Sequence, residues 1–396
     1  MSRLPIRTGV LLGASSLLLL TLAACGGSSL SATTGADKVS FGTQICTGAT
    51  SAAPNYAEPF APVSDAASSL SGAGSTFVAP VMSSWTKDYA SQGTQVAYQS
   101  IGSGGGVAQI QAQTVDFGAS DSGISDDDIA ASKGGANSIM QFPLVAGADV
   151  VVYNLPGVPA GLKFDGPTLG KIFAGEITKW NDPAIAADNP GVTLPDLAIA
   201  VAHRSDGSGT TAIFTHYLTQ VSSDWVSKLG KGTSEGSEVA WPTGIGGQGN
   251  EGVSGVVGQT KGGIGYVELQ YALAQKLTYA QVKNSSGNFI QPCSETIKEA
   301  TNGVQYPPNL LTFITNADGK DAYPIAGDTY ALVYKNQTDP AKAAALVNFF
   351  GWILSKGQDS VGTLDYVPLG PDIQKKSVAM LETMTLNGQP IVKAKQ

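Results

Sequence analysis

The stretch Tyr98-Gln99-Ser100-Ile101-Gly102-Ser103-Gly104-Gly105-Gly106-Val107 reads as the end of a strand, a glycine–serine loop and the start of a helix. Around it, Val96 to Ile101 predicts a strand, Val107 to Gln113 a helix, and Val115 to Ala119 another strand. Val150 to Tyr153 and Leu197 to Ala202 are further short apolar runs. Short apolar runs alternating with helical ones predict an α/β architecture with largely parallel strands. At 396 residues the chain is too long for one comfortable core, so two lobes are expected. No repeat with a period of roughly 20–50 residues is visible, which argues against a solenoid.

The same loop-to-helix unit occurs twice more. Gly72-Ala73-Gly74-Ser75-Thr76-Phe77 precedes an expected helix with Pro80 in its first turn and Val81, Trp85 and Tyr89 on one face. His203-Arg204-Ser205-Asp206-Gly207-Ser208-Gly209-Thr210-Thr211 precedes a helix marked by Ile213, Phe214 and Tyr217. The first N–H groups of a helix lack internal partners, and the macrodipole makes that end partly positive. Glycines let those N–H groups approach a ligand, and Ser and Thr hydroxyls add donors without bulk. Three such ends converging would surround a small oxyanion. Taken singly, each loop also reads as an ordinary turn and cap, with Ser103 as an N-cap or a ligand hydroxyl. The third loop is sharper, because Arg204 offers a planar fork to an oxyanion and Asp206 can hold that fork in place. Asp121 ends the strand Val115-Asp116-Phe117-Gly118-Ala119-Ser120. Beside an anion, its carboxylate is useful only if the guest carries a proton to donate. Its other reading is a turn or N-cap aspartate near Ser122, Ser125 and Asp126.

The bulk numbers restrict the function. Hydrophobic residues make up 42% and charged residues 14% of the chain, as in a globular protein. The net charge of −8 argues against non-specific nucleic-acid binding, so an anion would be held by local donors and not by the overall field. Arg3 and Arg7, an apolar run from Val10 to Leu22, and Leu22-Ala23-Ala24-Cys25 have the design of an export signal. The end of that segment resembles the lipobox of bacterial lipoproteins, which implies a signal peptide over residues 1–24 and lipidation of Cys25. Residues 25–71, rich in Ser, Ala, Gly and Thr and with Pro54, Pro59 and Pro62, read as a tether, part of it ordered if Cys46 pairs with Cys293. Two cysteines remain, Cys46 and Cys293, and an oxidising compartment favours their pairing over two free thiols.

Taken together, six ordered stretches resemble the periplasmic phosphate-binding proteins of bacterial ABC transporters. They are Gly72 to Phe77, Tyr98 to Val107, Val115 to Asp121, Phe173 to Asp182, Arg204 to Thr210 (Arg-x-Asp-Gly-Ser-Gly-Thr), and Gly263 to Glu268. The resemblance implies a type II periplasmic-binding fold, with residues 72–146 and 321–396 as one α/β lobe, residues 147–320 as the other, and the ligand in a hinged cleft. It implies phosphate held by N–H and hydroxyl groups of Ser75, Thr76, Phe77, Ser103, Ser208, Gly209 and Thr210. Arg204 would supply the positive fork, Asp206 would orient it, and Asp121 would accept the ligand's proton. Fully ionised sulfate has no such proton and would be rejected. Gly246-Gly247-Gln248-Gly249-Asn250 also fits and is read as a structural turn. The long segment between Cys25 and Gly72 and the pair Cys46 and Cys293 depart from the family's binding pattern, and nothing is carried over to Leu369-Gly370-Pro371. The implied partners are inorganic phosphate, the permease subunits of the importer and, through the anchor, the outer face of the cell membrane. The protein is expected to be monomeric, with no cofactor and no metal.

Three other functions fit parts of the sequence. A phosphate-ester hydrolase would need a base for Ser208. The two histidines, His203 and His216, offer few candidates and no His-rich metal site. A dinucleotide fingerprint at Gly102 to Val107 has Val107 in place of the third glycine. A surface interaction protein on the same fold would show damaged ligand loops, and none is evident.

Overall fold

The computed structural model describes Cys46 and residues 54–393. The expected signal segment, Cys25 and the first part of the expected tether lie outside the described residues. The main sheet uses nine strands: β1 (Ser69–Gly74), β2 (Gln95–Ser100), β3 (Phe117–Ser120), β4 (Ile139–Tyr153), β5 (Ala200–Arg204), β6 (Ile245–Gly247), β7 (Gly263–Glu268), β8 (Thr278–Tyr279) and β9 (Ala326–Tyr334). Their spatial order is β2-β1-β3-β9-β4-β7-β5-β6, with β8 also pairing β4.

Two parallel groups flank a pair of long antiparallel strands. β1 runs parallel to β2 and β3, and β5 runs parallel to β6 and β7. β9 is antiparallel to β3 and to β4, so the expectation of parallel strands holds only in the two flanks. β4 pairs with β9 over residues 139–148 and with β7 over 149–153. One strand therefore belongs to two half-sheets, and all fifteen of its residues are buried. This is why Val150 to Tyr153 reads as only a short apolar run, although the strand begins at Ile139. Strands buried on both faces show no alternation to mark their ends. The result is the type II α/β arrangement expected from the sequence.

Helices cover the flanks. α1 (Ala79–Tyr89) carries Pro80 in its first turn and buries Val81, Trp85 and Tyr89, as the spacing predicts. Tyr89 packs on Phe349 and Trp352, and Trp85 Nε1 donates to the Gly357 carbonyl at 2.7 Å. α2 (Ser103–Gln111) starts four residues before the expected Val107, because three glycines enter the helix and not the loop. α3 (Gly209–Val221) buries Ile213, Phe214 and Tyr217. α4 (Gly249–Gln259), α5 (Pro340–Ile353) and α6 (Pro371–Glu382) complete the set needed below.

The expected tether ends earlier than residue 71. Tyr56 Oη donates to the Leu369 carbonyl at 2.6 Å, Phe60 is buried in the core, and Val63 exchanges bonds of 2.8 and 2.9 Å with the Asn348 amide on α5. Composition hid this: three prolines and many small residues read as a spacer, yet the prolines set an extended path along the core. Cys46 and Cys293 form a disulfide with their Cα atoms 5.9 Å apart, closing a loop across 247 positions.

Candidate functional site

Loops from both half-sheets meet at one place. The Gly104 N–H donates to the Gly207 carbonyl at 2.9 Å, joining the start of α2 to the loop before α3. The Asn250 side chain donates to Thr76 Oγ1 at 2.7 Å and to Thr210 Oγ1 at 3.3 Å, joining the start of α4 to the loop before α1 and to the first turn of α3. A methyl group on Gly209 would stand 2.5 Å from Asp121 Oδ2 and 2.6 Å from Ser103 Oγ, so only glycine allows that approach. Ser75, Thr76, Ser103, Asp121, Arg204, Asp206, Ser208, Gly209 and Thr210 are thereby brought together. Phe77 can offer this place only its backbone, because its ring is buried edge-on against Tyr366.

The donors divide into used and free ones. Ser75 N–H is spent on the Ala119 carbonyl at 2.9 Å, so this residue offers only its hydroxyl, which Asp121 already receives at 2.6 Å. Ser208 caps α3, its Oγ accepting from Thr211 N at 3.0 Å, which leaves the hydroxyl hydrogen free. Among the described residues, no acceptor meets the N–H groups of Thr76, Phe77, Gly209 and Thr210. Ser103 caps nothing. Gly102, at φ 87°, occupies the N-cap, and Ser103 turns its hydroxyl to Asp121 Oδ2 at 3.2 Å. A side chain at Gly102 would also collide with Asp206 Oδ2, at 2.3 Å.

Two ionic groups frame these donors. Arg204 is 3% exposed, and its fork is clamped on Asp206, with Nε to Oδ1 at 2.7 Å and a second bond from Nη2 to Oδ2. Nη1 reaches Thr210 Oγ1 at 3.2 Å. The Gly249 N–H holds Asp206 from the other side at 3.0 Å. Asp121 is 3% exposed and takes hydroxyls from Ser75, Ser103 and, at 2.5 Å, Thr329. Burial pushes its carboxyl up to about 6, while those hydroxyls and the Arg204 charge pull the other way. It caps no helix, since the next one, Asp126–Ala131, is capped by Ser125. Beneath Arg204 lies Asp149 on β4, fully buried with neither oxygen partnered among the described residues, opposite Glu268 on β7. Burial lifts both carboxyls well above the usual range, and Arg204 opposes that shift at Asp149.

Several contributors were missed. Gly246 to Asn250 is not a simple turn. It ends β6 and opens α4, and Asn250 is wholly buried in the site. Its Gly-rich helix start is the signal that could have found it. Tyr98 and Tyr271 donate to the carbonyls of Ser75 and Thr76 at 2.9 and 2.7 Å, holding that loop so that its N–H groups face away from them. Thr329, in the middle of β9, carries no local signal at all. Both histidines are taken up structurally. His203 stacks on Trp241 and binds the Arg204 carbonyl, and His216 stacks on Phe313 and binds Thr315.

Helix-start N–H groups, a clamped guanidinium and a buried carboxylate between two half-sheets define a type II periplasmic-type binding protein for a small oxyanion, and residues 50–356 match the PBP superfamily domain. The chain belongs to that superfamily and, within it, to the family of the phosphate-binding protein PstS. It is 46% identical over 312 residues to that protein of Xylella fastidiosa strain Temecula1, covering 78% of this chain and 83% of the relative. Against that of Pasteurella multocida strain Pm70 it is 43% identical over 321 residues, covering 80% and 91%. Among solved structures it resembles a phosphate-bound high-affinity periplasmic phosphate-binding protein, PfluDING, at 19% identity and a TM-score of 0.64, covering 78% of this chain and 93% of that one. A phosphate-binding protein from Stenotrophomonas maltophilia follows at 18% and 0.62, covering 81% and 97%. At such identities these two attest the fold alone.

Proposed function

We propose that this protein binds inorganic phosphate without covalent change and hands it to an ABC-type importer. The observation that carries this reading is the pairing of a buried Asp121 carboxylate with free N–H groups of Thr76, Phe77, Gly209 and Thr210 and the clamped Arg204. Donors alone would suit any oxyanion. The carboxylate demands a guest that brings a proton. Phosphate near neutral pH does so, and sulfate does not. Ser75 and Ser103 act mainly by holding Asp121, and Asp206 by orienting Arg204. The closing surfaces are two lobes, residues 72–146 with 321–396, and 147–320, hinged at β4 and β9. An N-terminal lipid on Cys25 would keep the protein, as a monomer, on the outer face of the cell membrane. No helix of the described residues is long and apolar enough to cross a membrane.

A hydrolase reading finds no support at Ser208, whose oxygen faces the Thr211 N–H, with both histidines stacked on aromatic rings elsewhere. Calorimetric titration of the unlipidated chain with phosphate, then sulfate, tests the proposal. Saturable phosphate binding with sulfate rejected is expected, and comparable binding of both anions, or of neither, would overturn it.

A further inference from the structure

Strand β9 shows different surroundings on its two faces, because successive side chains of a strand point oppositely. Thr329 reaches Asp121 in the anion site. Asp328, one residue earlier, lines a separate cavity of about 440 Å³ walled by residues 301–306 and by the start of α6. Asp328 is 2% exposed. Its Oδ2 accepts the Tyr306 hydroxyl at 2.7 Å, while Oδ1 has no partner among the described residues. A buried carboxyl oxygen without a donor is costly, and its neighbourhood calls for one.

The other charged groups of the cavity are Asp372, Lys375 and Lys376, so two acids face two lysines. The start of α6 has no side-chain cap and lies in the same wall. A single free oxygen at Asp328 suits one N–H donor of an ammonium better than the two-pronged fork of a guanidinium. The lysines and the helix start suit an anionic group. We propose that this cavity is a second ligand site for a small zwitterion, with a primary ammonium on Asp328 and a carboxylate or similar anion on Lys375, Lys376 and the start of α6.

Burial lifts the Asp328 carboxyl to about 7, against the pull of the Tyr306 hydroxyl. Tyr306, Asp372, Lys375 and Lys376 are the titratable groups in the cavity wall, and Tyr330 lies close enough to feel the Asp328 charge. An ammonium needs the ionised form, so binding should tighten as pH rises through that value.

The probe is 4-aminobutyrate, titrated into the full chain with and without phosphate and followed by amide NMR shifts and calorimetry. Binding at millimolar probe is expected, with butylamine and butyrate each about tenfold weaker. Asp328→Asn should weaken the probe by about tenfold or more. The exposed pair Lys375→Ala/Lys376→Ala should do the same, and it guards against a folding defect in the first variant. Phosphate affinity should persist in both. No binding at millimolar probe, equal binding of butylamine or butyrate, displacement of the probe by phosphate, or binding that survives both variants overturns the proposal.

Discussion

Lowering the pH should erode the preference for phosphate over sulfate, and Asp121→Asn should abolish that pH dependence. The buried carboxyl of Asp121 is raised to about 6, and a raised value means that burial disfavours its charge. The acceptor form is therefore present above about 6 and is lost as pH falls through it. With that midpoint, Asp121 is about nine-tenths ionised at pH ~7 and about one-tenth at pH ~5. Phosphate binding that needs the carboxylate should weaken about tenfold over that interval. Sulfate, which can accept a bond from the protonated acid, should gain, so the ratio should fall by more than that.

In Asp121→Asn the hydroxyls of Ser75 and Thr329 can rotate to accept from the amide, so the loss is confined to the bond with the ligand's proton. A hydrogen bond to a charged group contributes about 1.5–3 kcal/mol, which corresponds to about 10- to 150-fold weaker phosphate binding. Competition calorimetry with the two anions at both pH values, with circular dichroism to confirm folding, measures all four constants. A selectivity ratio that ignores both pH and the substitution would refute the assignment of Asp121 as the proton acceptor.

Arg204→Lys keeps the charge but loses the planar fork on Asp206, and phosphate titration should show a loss of at least ~2 kcal/mol; unchanged affinity would mean that the fork is not used. Thr329→Val removes the 2.5 Å donor to Asp121, so the midpoint of the pH-dependent binding should move above about 6, and Thr329→Ser should restore it. Cys46→Ser opens a loop spanning 247 positions, and denaturant unfolding should register a loss of up to about 5 kcal/mol with phosphate affinity retained.

What the sequence disclosed followed from local physics. Helix starts with glycine and serine, and the fourfold spacing of Val81, Trp85 and Tyr89, are properties of neighbouring residues, and they located α1, α2 and α3. The roles expected of Arg204 and Asp206 are consistent with their geometry, because two residues on one turn can find each other without help from the rest of the fold. Thr329 and Asn250 stayed hidden because they reach the site only when β9 and α4 pack against distant loops, at sequence separations of 208 from Asp121 and 174 from Thr76. Asp149 stayed hidden for a related reason. It sits inside the apolar run of β4, where one acid in fifteen buried residues reads as noise.

The charges in the site explain why a protein of net charge −8 can hold an anion at all. Arg204 is already neutralised by Asp206, Asp121 adds a negative charge when ionised, and burial pushes Asp149 and Glu268 towards their neutral forms. The side chains thus contribute no net attraction. What remains is dipolar: N–H groups of Thr76 and Phe77 in the loop leading into α1 and of Gly209 and Thr210 in the first turn of α3, fixed in place before the guest arrives. Fixed dipoles attract any small anion that fits, so they supply affinity without discrimination. On the proposed reading, discrimination then falls to Asp121, whose carboxylate is unfavourable unless the guest donates a proton. Its cost is lowered by Ser75, Ser103 and Thr329, whose hydroxyls would otherwise serve the ligand. The site gives up three possible ligand donors to keep one selective acceptor ionised.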